Sequence, residues 1–211
     1  MFSLPKRLAA PLLAALALAF ATAPGLAQTP PAPAPVETAP AETMPIPGPP
    51  APQPLQPGDA FGEEVMLPGR TIIFLKGQGN WEAAFDTLAD AFKSLNQYFA
   101  KQGIKPNGPA MTVYTQTDDK GFTFEAALPV AEAPANPPTG DIAVGQSPTG
   151  RALKFVHRGS FDAMDSTYEA VTNHLDEKQL DAKDMFIEEY ATDPSAANPE
   201  NMVVTVYVPV K

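Results

Sequence analysis

The second half of this chain repeats the first, and that duplication limits the fold more than any other feature. Gly69-Arg70-Thr71-Ile72-Ile73-Phe74-Leu75-Lys76 lines up with Gly150-Arg151-Ala152-Leu153-Lys154-Phe155-Val156-His157 at a shift of 81 residues. Gly79-Asn80-Trp81-Glu82-Ala83 lines up with Gly159-Ser160-Phe161-Asp162-Ala163 at a shift of 80, and Leu128-Pro129-Val130 with Val208-Pro209-Val210 at the same shift. Three matches in order, at almost one offset, mark two copies of one unit, about 62–130 and about 140–211.

Each copy opens on a short apolar strand, Thr71–Lys76 or Ala152–His157, and turns at Gly-Asn or Gly-Ser. Asn80 and Ser160 are good helix N-caps, because their side-chain oxygens accept from otherwise unpaired backbone N–H groups. The helix that follows carries an apolar stripe at alternating spacings of three and four. The stripe is Trp81, Phe85, Leu88, Phe92, Leu95 and Phe99 in copy one, and Phe161, Met164, Tyr168, Val171 and Leu175 in copy two. Two strands then read as a hairpin: Met111–Thr117 with Gly121–Leu128, and Met185–Ala191 with Met202–Val208. The expected fold is therefore α+β. It has two pseudo-two-fold-related β-α-β-β repeats, antiparallel sheets with one long helix each, and a cleft between the repeats.

The residues before the repeats are of two other kinds. Lys6 and Arg7, the apolar run Leu8 to Phe20, and the small residues Gly25 and Ala27 form a secretory signal over 1–27, cleaved before Gln28. A spanning anchor needs roughly 20 apolar residues, and this run is shorter and holds Pro11. Residues 28–57 hold 12 prolines in 30 positions, a composition for extended or disordered chain. Without an arginine-flanked PxxP motif it reads as a tether between the signal and a domain over 58–211. The sequence contains no cysteine, so it has no disulfide framework, no thiolate metal site and no lipoprotein anchor. Losing Lys6 and Arg7 leaves 12 basic residues against 24 acidic ones, a charge of −12. Nucleic acid, bound chiefly through lysine and arginine, is thereby disfavoured as a partner, as is stable membrane insertion after cleavage. The expected location is the periplasm or outside a bacterial cell.

Copy two also contains His157-Arg158-Gly159-Ser160-Phe161, then Glu188-Glu189-Tyr190-Ala191-Thr192-Asp193-Pro194, then Val206-Tyr207-Val208-Pro209-Val210. In this order the segments resemble the GyrI-like small-molecule-binding domain, the effector-binding domain of AraC- and MerR-type regulators, within the SOUL-like fold. The resemblance covers roughly 62–211. It implies a ligand-sensing role, here in an exported form, because a signal and tether stand where a regulator carries its DNA-binding helices. Copy one lacks the acidic-aromatic motif, with Thr112 at the position of Glu188, so the pocket is expected to be asymmetric. The related SOUL fold raises the question of haem. Only His157 and His174 are present, neither in a haem motif, so no cofactor is expected, and no metal.

Side chains alternate between the faces of a strand. Met185, Ile187 and Glu189 are read as the helix-packed face, and Phe186, Glu188 and Tyr190 as the open one. A carboxylate between aromatics suits a cationic or polarised aromatic ligand. In the closing strand Met202, Val204, Val206 and Val208 form the apolar face, leaving Thr205 and Tyr207 opposite, with Glu125 and Ala127 as their copy-one equivalents. Tyr114 is the counterpart of Tyr190. The candidate lining is thus Glu188, Tyr190, Phe186, Tyr207, Tyr114 and Glu125. Trp81 and Phe161 are read as core anchors, His157 as ordering the strand-to-helix turn, and Asp162, Asp165, Glu169, Asp176 and Glu177 as a solvated helix face rather than a metal site.

The leading expectation is a binding module that captures a partly apolar, cationic small molecule between the repeats. Two others are carried. The resemblance also implies hydrolases of strained electrophiles, in which Glu188 would act as general acid or base. It further implies a protein-interaction module, here with an envelope partner reached through the tether.

Overall fold

The computed structural model describes residues 53–211; the expected signal segment, 1–27, and residues 28–52 of the expected tether lie outside the described residues. Eight strands and two helices follow in the order β1 (Phe61–Pro68), β2 (Thr71–Gly79), α1 (Ala84–Gln102), β3 (Ala110–Asp118), β4 (Gly121–Pro129), β5 (Ile142–Gln146), β6 (Thr149–Gly159), α2 (Met164–Lys178), β7 (Phe186–Tyr190) and β8 (Met202–Pro209). A single 3-10 turn, Trp81–Ala83 or Phe161–Ala163, introduces each helix. Asn80 and Ser160 cap these turns, accepting from the N–H of Ala83 at 2.9 Å and of Asp162 at 3.2 Å. No helix among the described residues is long and apolar enough to cross a membrane.

All eight strands join one antiparallel sheet in the order β1-β6-β8-β7-β3-β4-β2-β5. Exchanging β1 with β5, β2 with β6, β3 with β7 and β4 with β8 reverses this order onto itself, which is the pseudo-two-fold symmetry the repeat predicts. The axis passes between β3 and β7, so the expected sheets of the two copies are continuous with each other.

Sequence reading missed β1 and β5, and their pairing is crossed: each lies on the outer edge of the other copy, β1 beside β6 and β5 beside β2. This bends the sheet. Only Gly69 and Arg70 separate β1 from β2, and only Ser147 and Pro148 separate β5 from β6, so each link spans roughly 10 Å at most. In a flat sheet six strand spacings, about 29 Å, would separate these elements. The sheet therefore curls until the two links meet, where Ser147 N–H donates to the Arg70 carbonyl at 2.8 Å and Arg70 N–H to Ser147 Oγ at 2.9 Å. Gly69 turns with φ at +71°, a conformation glycine adopts without steric cost.

Curling divides the apolar side chains into two clusters. The inner face holds Ile72, Met111, Val113, Ala127 and Ile187. The outer face takes the helices: Leu88, Phe92, Leu95 and Phe99 of α1 are all buried against it. Only Met164 and Val171 of α2 are buried, so the second helix sits more loosely.

Candidate functional site

The gap left near the start of α2 is a hollow of about 910 Å³, lined from both copies and from the loop between β7 and β8. Its walls are aromatic: Trp81, Phe85, Tyr114, Phe161, Tyr168 and Phe186. Phe186 stacks on Tyr114 with centroids 4.4 Å apart and meets Tyr168 at 4.8 Å. Phe85 and Phe161, one from each copy, meet edge to face at 5.4 Å.

At the base lies Glu188, only 1% exposed. Its Oε2 accepts from the hydroxyls of Tyr190 at 2.6 Å and Tyr114 at 3.1 Å, and its Oε1 from the hydroxyl of Tyr168 at 2.7 Å. Tyr190 has one proton, which the carboxylate takes, so the hydroxyl of Thr112, 2.9 Å away, completes the network towards Tyr190. Burial pushes the Glu188 carboxyl above its ordinary range, and the three phenol hydroxyls oppose that shift. Burial and the carboxylate hold all three phenols well above theirs.

Three pieces of local chemistry fix this arrangement. His157, buried in β6, lies 3.0 Å from the Ser160 carbonyl through Nε2 and 2.7 Å from Thr167 Oγ1 through Nδ1, tying the turn and α2 to the sheet as its role in the turn predicts. Asp193 closes a turn on Ser195 N–H at 2.8 Å and accepts from Asn96 of α1 at 3.0 Å. Phe161 N–H donates to the Pro199 carbonyl at 2.7 Å, which holds the β7–β8 loop beside the hollow.

Of the six residues read as lining, the structure brings Glu188, Tyr190, Phe186 and Tyr114 together and places the other two elsewhere. Tyr207 pairs with Ile187 rather than Glu188, so it points to the inner face, where its hydroxyl donates to Glu189 at 3.2 Å. Glu125 pairs with Val113, shares that face, and lies 3.7 Å from Lys76. The two faces of β7 are also reversed: Phe186, Glu188 and Tyr190 face the helices, while Ile187 and Glu189 face inward, with Glu189 paired to Arg70. Trp81 is not a core anchor. It is 43% exposed, stacks along Tyr114 and donates its indole N–H to the Asp118 carbonyl at 2.7 Å. Tyr168 belongs to the stripe that the spacing predicts for α2, and its hydroxyl, set in an otherwise apolar stripe, is the one sequence signal of its place in the site. Asp162 and Asp165 are exposed, as expected of a solvated face, and also border the hollow.

Fold and site together define a duplicated α+β domain with an aromatic hollow above a buried carboxylate, an architecture of small-molecule binding. The chain belongs to the GyrI-like family, the GyrI-like small molecule binding domain, which matches residues 63–211. No curated protein matches it. Among solved structures it resembles the EcmrR C-terminal domain, with 14% identity, a TM-score of 0.59, and coverage of 71% of this chain and 96% of that one. EcmrR in its DNA complex gives 14% identity, a TM-score of 0.60 and the same 71% of this chain, which spans only 56% of that longer one. An uncharacterized conserved protein from Listeria innocua gives 13% identity, a TM-score of 0.53, and coverage of 71% and 91%. At these identities the likeness is one of fold.

Proposed function

We propose that this protein is an exported small-molecule-binding module that holds a partly apolar cation in the hollow between its repeats. The observation that carries this reading is Glu188 at the base of an aromatic chamber. A positive group stacks on ring faces, and a buried carboxylate beneath them offsets its charge where water does not screen it. The hollow falls within the roughly 300–1,000 Å³ of ordinary ligand pockets, and neither lysine nor arginine lines it. Export and the periplasmic or secreted location belong to the same proposal and rest on residues 1–27. Titration calorimetry with aromatic quaternary cations tests the site. Wild type is expected to bind, and Glu188→Gln to lose about tenfold or more in affinity, an interaction of roughly 1.4 kcal/mol. Equal affinity in the two proteins removes Glu188 from the site.

A second reading is favoured by the upward push on the Glu188 carboxyl, which suits a general acid or base. In it the protein hydrolyses strained electrophiles in the same chamber. The measurement is loss of an epoxide panel by mass spectrometry; consumption no faster than in buffer rejects it.

A further inference from the structure

The first described residues are fastened close to the hollow. Gln53 N–H donates to the Arg158 carbonyl at 2.8 Å, and the Ala60 carbonyl accepts from Val156 N–H at 3.0 Å. Asp59 secures this strap, accepting from Arg158 Nε–H at 2.7 Å and from its Nη2–H at 2.8 Å. The strap thus runs antiparallel to the end of β6, and traced towards its N-terminus it heads for the turn at Gly159 and Ser160. Phe161, which walls the hollow, comes three residues after Arg158, at most about 11 Å away. The residues just before Gln53 are Ile46-Pro47-Gly48-Pro49-Pro50-Ala51-Pro52. Extended, seven residues span roughly 22 Å, about twice that distance. These seven carry no charge, whereas Glu37 and Glu42, the charged residues of 28–52, stand further back along the chain.

We propose that residues 46–52 bind in the hollow of their own chain, with proline rings against its aromatic walls, and compete there with the small-molecule ligand. The inference rests on the reading above for an accessible hollow, but not for the charge of the ligand. Proline-rich segments recognise grooves lined by aromatic rings, because their fixed φ leaves little entropy to lose on docking. Trp81, 43% exposed, offers such a ring at the edge of the hollow. Attachment at Gln53 removes the need for high intrinsic affinity, since a short link gives an effective concentration on the order of 1 mM. Charge selects the segment: Glu82, Asp162 and Glu200 border the hollow and repel Glu37 and Glu42, but not the uncharged residues next to the anchor.

Trp81 is the only tryptophan of the sequence, so its fluorescence reports the hollow directly. Acrylamide quenching is measured on the full chain, on Ile46→Ser/Pro47→Ser/Pro49→Ser/Pro50→Ser, and on Pro31→Ser/Pro33→Ser/Pro35→Ser as a control. The first variant is expected to be quenched about twofold more strongly than wild type, at any protein concentration, and the control like wild type. A free peptide of residues 46–52 should return the first variant to wild-type quenching with a Kd of roughly 0.2 mM. Against an effective concentration of about 1 mM that Kd leaves about one sixth of the chains open, so benzyltrimethylammonium should bind the first variant about sixfold tighter than wild type. Equal quenching of wild type and first variant, or a peptide without effect, overturns the inference whatever the cation does. A difference that grows with protein concentration moves the contact to a second chain and overturns it as well. Equal cation affinity in the two proteins overturns the competition and leaves cation binding standing. A cation that binds neither protein rejects the cation reading, and the quenching then decides the segment alone.

Discussion

Thr112 and Glu188 are cross-strand partners at the centre of the sheet, and they are also the same position in the two repeats. The pseudo-two-fold axis therefore runs between a hydroxyl and a carboxylate. Symmetry in the backbone places them together; their difference supplies the asymmetry of the site, in which one copy provides the acid and both provide phenols around it.

Removing one phenol tests how firmly that network is held. Tyr190→Phe strips a proton donor from Glu188 Oε2 and leaves the Thr112 hydroxyl without its partner in a fully buried place. The expected cost is about 1–3 kcal/mol of folding stability, read as a lower urea midpoint with an unchanged slope. A variant as stable as wild type means that the hydroxyl is dispensable.

Glu188 also gives stability a pH dependence of definite sign. Its carboxyl in the fold lies above the ordinary value of 4.5 because of burial, so the folded state takes up the proton more readily than the unfolded chain. Its contribution is fully present below that ordinary value and is lost as pH rises through the folded one. Unfolding free energies of wild type relative to Glu188→Gln should thus fall with rising pH across this window. A difference that is flat or rises with pH contradicts the assignment.

His157 acts in the opposite direction. Burial holds its imidazole below the ordinary 6.5, so the unfolded chain binds the proton first, and stability falls as pH drops below 6.5. His157→Gln should lack this acid-side loss in urea titrations between pH 7.5 and 5. Matching pH curves for the two proteins would assign the effect to another group.

Tyr207 separates the two faces of the sheet. Its phenol, pushed up to about 12 by burial and by Glu189, lies on the inner face, away from Glu188. Tyr207→Phe should leave cation affinity within about twofold and lower stability by roughly 0.5–1.5 kcal/mol through the lost hydrogen bond. A tenfold loss of affinity would place it in the hollow after all.

Gly121 opens β4 where the β3–β4 hairpin passes close to β2. A methyl group there would press into the Gly79 carbonyl oxygen, which is backbone and cannot rotate away. Gly121→Ala should cost about 2 kcal/mol or more, seen as a lower thermal midpoint; an unchanged midpoint means the strands separate easily.

The duplication made the helices, hairpins and symmetry legible, because each rests on local periodicity and caps. Strand alternation separated Glu188 from Glu189 correctly, but alternation does not say which face a helix will cover, so the two faces of β7 were exchanged. Tyr207 was then joined to the wrong set, since its face depends on the register of β7 with β8, a long-range quantity. Strands β1 and β5 escaped notice for a related reason. Each is an edge strand completed by the other copy, and β1, five of whose eight residues are exposed, shows no clean alternation. Tyr168 was visible as a helix-stripe residue, yet its partner lies 20 positions away on another element.

The crossed outer strands have a mechanical result. A protease cut in the connection between Pro129 and Ile142 would yield two pieces, each still clasping the other's first strand at its own far edge. Such pieces are interlocked as well as packed together, and should travel as one particle on a sizing column. A duplication that began as two like units has become one that can be nicked without coming apart.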